Sequence, residues 1–244
     1  MLIKITNRIF YLPHSEETDR PILGYIKGGK FSLMIDSGNS KKHVEQFIDE
    51  IMEIEMPYPN FVAITHSHWD HTYGMSSLNA ISIACERTNK YLKDMCSWEW
   101  TQDAMKKRLD SGEDIEFCDT MIKREYPDLS EIVVKTADIV FNERLKLDLG
   151  GITCELRRLD SSHADDCVIV YIPEEKVVFI GDIISEDFHH GESKYYKDKL
   201  ESLINDFEKL EFNIALFGHM EPFTKDELIA WLNEVKLDMN NEEK

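Results

Sequence analysis

Short stretches in which apolar residues fall at every second position, or run uninterrupted, recur along the first part of the chain. They predict strands at Leu2 to Ile5, Ile9 to Leu12, Ile22 to Ile26, Phe31 to Ile35, Phe61 to Ile64 and Ala80 to Ala84. Phe31, Leu33 and Ile35 alternate with Ser32 and Met34, so one face of that strand is expected to be packed more deeply than the other. A second set follows later. Leu145 to Leu149 and Ile152 to Leu156 flank Gly150-Gly151, and Val168 to Ile172 and Val177 to Ile180 flank Pro173-Glu174-Glu175, so each pair predicts a hairpin. Ile214 to Phe217 reads as one more buried strand.

Elsewhere the apolar period lengthens to that of a helix. Val44, Phe47, Ile48 and Ile51 share a face behind Ser40, a good N-cap, and Pro57 and Pro59 close that segment; His43, in its first turn, is expected to be exposed. Leu200, Leu203, Ile204 and Phe207 mark a second amphipathic helix. The last helix opens with the capping box Thr224-Lys225-Asp226-Glu227, with Phe223 set to staple onto Leu228 and with Leu228, Trp231, Leu232 and Val235 on one face. Residues from Asp238 onward are expected to fray.

Between the two sets of strands, from about 86 to 137, the composition is helical. Gly112 is expected to separate two helices and Pro127 to end the second. The aromatic residues and methionines of this insertion, among them Tyr91, Met95, Trp98, Trp100 and Met105, are expected to pack onto their own domain. An apolar wall over a substrate is the other use they suit. A lid and a homodimer contact both remain open for the insertion.

A chain of 244 residues is long enough to bury a substantial core as one α/β domain, 1–244. Its 47 acidic residues against 28 basic give a net charge of −19, which disfavours nucleic acid and anionic membrane surfaces as partners and leaves a small-molecule substrate. The five cysteines show no paired spacing and read as reduced thiols. With no apolar h-region at Met1 to Asn7 and no run long enough to span a bilayer, the expected location is cytoplasmic.

The densest chemistry lies in Thr65-His66-Ser67-His68-Trp69-Asp70-His71. Three imidazoles and a carboxylate in so few residues are costly to desolvate and read as a metal site. In an extended or turning segment His66 and His68 point the same way and reach one ion, while Asp70 and His71 offer donors to a second. The buried strand just before them would hold this loop on a rigid element. His14, His189 and His190 lie in polar loops and are assigned no role.

The His-x-His-x-Asp-His pattern at 66–71 resembles the signature of the metallo-beta-lactamase superfamily. The resemblance extends from about Phe31 to His219 and implies a four-layer αββα sandwich with two metals at one edge. It implies further ligands in a set order, matched here by His163 in Ser-Ser-His-Ala-Asp-Asp, Asp182 in Phe-Ile-Gly-Asp and His219 in Phe-Gly-His-Met. Asp36 in Ile-Asp-Ser-Gly resembles the family's support residue for the ligand loop, a role to set against simple capping of the helix that follows.

On this resemblance His66, His68 and His163 hold one ion, Asp70, His71 and His219 the other, and Asp182 bridges them. Zinc is the first choice of metal, with iron or manganese accepted by the mixed donor set. A hydroxide held between the ions would be the nucleophile, and Asp70 the catalytic residue that handles the released proton. The bridging Asp182 makes the chain look like the superfamily's thioesterases and lactonases, so a hydrolase of a small ester, thioester or lactone is expected. The short tail after His219 leaves no room for the C-terminal helical domain of glyoxalase II-type enzymes. A small-phosphodiester hydrolase, a persulfide dioxygenase with a single iron, and a catalytically silent sensor of the same fold are the alternatives.

Overall fold

A computed structural model describes residues 1–242. Its first sheet has seven strands in chain order: β1 (Ile3–Lys4), β2 (Ile9–Leu12), β3 (Leu23–Lys27), β4 (Ser32–Ile35), β5 (Phe61–Ala63), β6 (Ile81–Cys85) and β7 (Ile139–Phe141). Neighbours from β1 to β4 run antiparallel, and those from β4 to β7 run parallel. The change of direction follows from the connections. Short turns permit antiparallel pairing, whereas α1 (Lys41–Glu53) crosses over between β4 and β5. The link from β5 to β6 carries the short helix α2 (Trp69–Thr72), and the link from β6 to β7 carries α3 (Glu86–Met95), α4 (Gln102–Ser111) and α5 (Glu116–Glu125).

The second sheet has six strands, in spatial order β13 (Phe223–Thr224), β12 (Ile214–Phe217), β11 (Val177–Gly181), β10 (Val168–Ile172), β9 (Thr153–Arg158) and β8 (Arg144–Asp148). Its one parallel pair, β11 with β12, is bridged by α6 (Lys197–Lys209), and α7 (Lys225–Glu242) follows β13.

Period-two alternation sorts the strand residues into separate cores. Leu33 and Ile35 of β4 meet Val168, Val170 and Ile172 of β10 and Val177 and Phe179 of β11 between the sheets. The intervening Met34 faces α1, whose Val44, Phe47 and Ile51 pack against it in the core that also holds Leu92, Met105 and Ile122 of the insertion. On the far side Ile169, Tyr171, Val178 and Ile180 pack against Leu200, Leu203 and Phe207 of α6 and Leu228 and Leu232 of α7. Helix, sheet, sheet and helix are thus stacked as the expected αββα sandwich.

Several sequence expectations are corrected. β4 is buried on both faces, Ser32 and Met34 included, because a helix covers the side that alternation alone would leave to solvent. β7 and β13 were not anticipated; they are short pieces completed by sheet pairing. The insertion contains three helices, since the chain also breaks after α3 and restarts where Thr101 caps α4. Gly112, at φ +74°, does separate α4 from α5. His43 is buried at 1 % exposure rather than exposed. It lies directly over Gly38, where an added Cβ would stand 2.5 Å from its Nδ1, and burial, aided by Arg20, lowers its pKa well below the usual imidazole value. Helix α7 continues through Asp238 to Glu242 because Val235 and Met239 still reach the core and Lys197 bonds Asn240. Ser40 caps α1 through the His43 N–H, and Thr224 and Glu227 exchange the capping-box bonds that open α7. Among the described residues no helix is long and apolar enough to cross a membrane.

Candidate metal centre

Strand ends bring the histidines and aspartates together at one edge of the sandwich. β5 runs into the 65–71 loop, β11 ends just before Asp182 and β12 just before His219, while His163 sits in the loop between β9 and β10. His66, Asp182 and His219 are therefore anchored close to the ends of buried strands, and Asp70 and His71 lie on α2. Gly218 makes the close approach of Asp182 possible. An added Cβ there would stand 2.1 Å from Asp182 Oδ1.

The seven residues form two adjacent groups. His66, His68 and His163 each offer one donor atom, all within 4.8 Å of one another, and Asp70, His71, Asp182 and His219 do the same. Asp182 links them: its Oδ2 lies 3.3 Å from His219 Nε2, 3.5 Å from His71 Nε2 and 3.8 Å from His163 Nε2. Asp70 Oδ2 stands 3.0 Å from both His71 Nε2 and His219 Nε2.

Surrounding groups decide which ring nitrogen faces inward. Asp36 Oδ2 is 2.8 Å from His71 Nδ1, and the same carboxylate accepts from the Thr65 N–H at 2.7 Å and the Thr65 hydroxyl at 2.8 Å. Asp36 therefore supports the ligand loop, and Ser40, not Asp36, is the helix cap. His163 Nδ1 lies 3.1 Å from the Glu186 carbonyl, which must receive a proton, so Nε2 presents its lone pair inward. That nitrogen is only 3.3 Å from His66 Nε2.

Two kinds of electrostatic tension follow. Burial first, then repulsion from neighbouring imidazoles, lowers His66 and His68 well below the ordinary value and keeps them neutral. In the other group burial is outweighed by Asp70 and Asp182, which raise His71 and His219 well above theirs. Asp70 and Asp182 are in turn held well below the usual carboxylate range, against the effect of burial, by those two histidines. His71 Nε2 and Asp182 Oδ1 are buried with no hydrogen-bond partner. Lone pairs converging on one another, beside orphaned buried donor atoms, are what a divalent cation relieves; the residues present fit two such ions.

Three neighbours escaped the sequence reading. Asp166 accepts from the Ser67 N–H at 2.8 Å and so pins the ligand loop between His66 and His68. Asp19, in a left-handed turn at φ +55°, brings Oδ1 to 3.5 Å from His219 Nδ1. Burial, then Asp70, raises its carboxyl to about 7. His189, given no role from sequence, stacks beside His68 with ring centroids 4.8 Å apart. Asp187 fixes that loop by accepting from the backbone N–H groups of His189 and His190 and from the Tyr196 hydroxyl. Only the position of Asp166 three residues after His163 gave a usable signal.

A cavity of about 680 Å³ opens on His68 and His163 and is walled by His189 and, from the insertion, by Tyr91, Met95, Trp98 and Ile122. The insertion thus supplies residues both to the core and to the cavity wall. Met95 and Ile122 belong to the core as well as to the cavity wall.

The family model of the metallo-beta-lactamase superfamily matches residues 24–219, and the chain belongs to that superfamily. No curated protein matches it. Among solved structures, the inverting sec-alkylsulfatase Pisa1 from a Pseudomonas species aligns at TM-score 0.70 and 14% identity, over 99% of this chain and 43% of that one, so the chain spans less than half of the sulfatase. A metallo-beta-lactamase family protein of Thermus thermophilus aligns at TM-score 0.67 and 16% identity, over 98% and 81% of the two chains. A metallo-beta-lactamase from Pontibacter korlensis aligns at TM-score 0.63 and 16% identity, over 97% and 98%. At these identities the likeness is one of fold.

Proposed function

We propose that the protein is a dinuclear metal-dependent hydrolase of a small ester, thioester or lactone, cytoplasmic, with zinc as its metal. The observation that carries this reading is the position of the Asp182 carboxylate, within 3.8 Å of imidazole nitrogens from both donor groups. His66, His68 and His163 would hold one ion and Asp70, His71 and His219 the other, with Asp182 shared. When bound, such ions lower the pKa of water towards neutrality and polarise a carbonyl.

The chain's own groups do the rest. Asp36 and the Glu186 carbonyl engage Nδ1 of His71 and His163, so that Nε2 of each is the nitrogen available to an ion. Asp70, kept in its carboxylate form by His71 and His219, would be the group that takes up the proton released in the attack. The cavity, about 680 Å³, opens on His68 and His163 and suits a small molecule.

Metal analysis combined with a panel of esters, thioesters, lactones, phosphodiesters and sulfate esters tests the proposal. Two metals per chain and carbonyl-ester turnover that is lost on chelation are expected. One iron per chain with persulfide oxidation, or turnover of phosphodiesters or sulfate esters alone, overturns it.

A further inference from the structure

His219 is the most exposed member of its donor group: 25 % of its side chain is open to solvent, against 8 % or less for Asp70, His71 and Asp182. Packing alone therefore fixes its ring less firmly than it fixes theirs. Its Nε2 faces Asp70 and Asp182, and its outer nitrogen, Nδ1, faces Asp19, whose Oδ1 is 3.5 Å away. Two other ligands stand in the same relation to an oxygen, His71 Nδ1 to Asp36 and His163 Nδ1 to the Glu186 carbonyl. An oxygen at the outer nitrogen of a ligating imidazole sets the direction in which the ring points.

The turn that delivers Asp19 is held from several sides. Ser15 and Arg20 exchange two backbone hydrogen bonds, each of 2.9 Å, that close it. Asn39 Nδ2 donates to the Thr18 carbonyl at 2.7 Å, and Arg124, in the last turn of α5, donates to the Glu17 carbonyl at 3.0 Å. The Arg20 guanidinium reaches Glu125 at the end of α5, at 2.8 Å, and Gln46 of α1, at 3.0 Å. Glu125 is buried and also accepts from the hydroxyl of Ser40, the cap of α1. Asp19 itself adopts φ +55° and ψ +49°, a conformation that aspartate and asparagine tolerate and glycine takes freely. The shape of the turn therefore does not call for a carboxylate, whereas the nitrogen it faces does.

From these contacts we infer that Asp19 is the positioning residue of His219, and that α5 of the insertion holds it in place by clamping the turn through Arg20 and the Glu17 carbonyl. The inference rests on the dinuclear reading of the site. Zinc is titrated into the metal-stripped protein against a chromophoric chelator to give the two stepwise constants, and His219→Ala marks the one that belongs to its group. Asp19→Asn and Asp19→Gly, both compatible with the left-handed turn, are expected to weaken that constant roughly 10- to 100-fold and to leave the other unchanged. Glu125→Gln, which loosens the clamp, is expected to weaken the same constant by a smaller factor. The metal-free Asp19 variants are expected to unfold at the same urea concentration as the native chain. Two constants in the native protein that the Asp19 variants leave unaltered, or weaken alike with a loss of metal-free stability, overturn the inference while the dinuclear reading stands. A constant untouched by Glu125→Gln removes α5 from it. A native protein that takes up a single ion overturns the dinuclear reading, and the inference falls with it.

Discussion

Asp36 and His71, 35 residues apart in sequence, meet through a 2.8 Å contact between Oδ2 and Nδ1, with both side chains buried. This contact makes Nδ1 the nitrogen that faces Asp36, so that Nε2 is the one turned toward Asp70 and Asp182. Asp36→Asn keeps the size of the side chain but weakens that selection. The variant is expected to fold and to bind metal roughly 10- to 100-fold more weakly. Competition against a chelator measures this directly, and unchanged affinity would remove Asp36 from the support of the site.

The close approach of Gly218 to Asp182 gives a second test. A methyl group at this position would fall 2.1 Å from Asp182 Oδ1, inside any permitted contact, so Gly218→Ala must displace the carboxylate or the strand end that carries it. The expected result is a folded protein with fewer than two metals per chain, because Asp182 would no longer reach both donor groups. Metal stoichiometry alongside circular dichroism separates loss of the site from loss of the fold.

These two contacts also show why parts of the molecule were legible from sequence and parts were not. His66, His68, Asp70 and His71 are crowded into one loop, so local pattern exposes them, whereas Asp182 and His219, each after a buried strand and a glycine, were legible through the ligand order that the family resemblance implies. The uninterrupted apolar runs of β10 and β11, bounded by turn residues, were placed almost to the residue. Asp19 and Asp166 are ordinary polar residues in loops, and only the folding of distant segments brings them to His219 and Ser67. His43 looked exposed because polarity predicts exposure; its burial comes from the packing of α1 over Gly38. Edge strand β7 has too few residues for a period to register and is defined by its pairing with β6.

His189 stands in the cavity wall with its ring 4.8 Å from that of His68, centroid to centroid, outside both donor groups. On the proposed reading, a side chain in this place would touch substrate rather than metal. His189→Ala is expected to keep two metals per chain while kcat/KM falls about 10-fold, the value of one lost hydrogen bond or packing contact, mainly through KM. Kinetics on any substrate identified by the panel, paired with metal analysis, checks both halves; a lost metal would make His189 a ligand instead.

Asp114 provides a prediction about stability that needs no substrate. Its folded carboxyl is raised to about 6, by burial above all, from the ordinary value of 3.8. The native state therefore binds this proton more tightly than the unfolded chain does. The favourable contribution of the protonated group is fully present below about pH 4 and is lost as pH rises through about 6, leaving above that a partly buried charge that the Ile115 N–H and Arg108 offset only in part. Asp114→Asn has no such charge to form. With metal stripped from both proteins, the variant is expected to be more stable than the native chain by about 1–3 kcal/mol at pH 8, and the gain should vanish towards pH 4. Urea denaturation at the two pH values measures the difference, and a gain that is the same at both would mean that lost charge is not its cause.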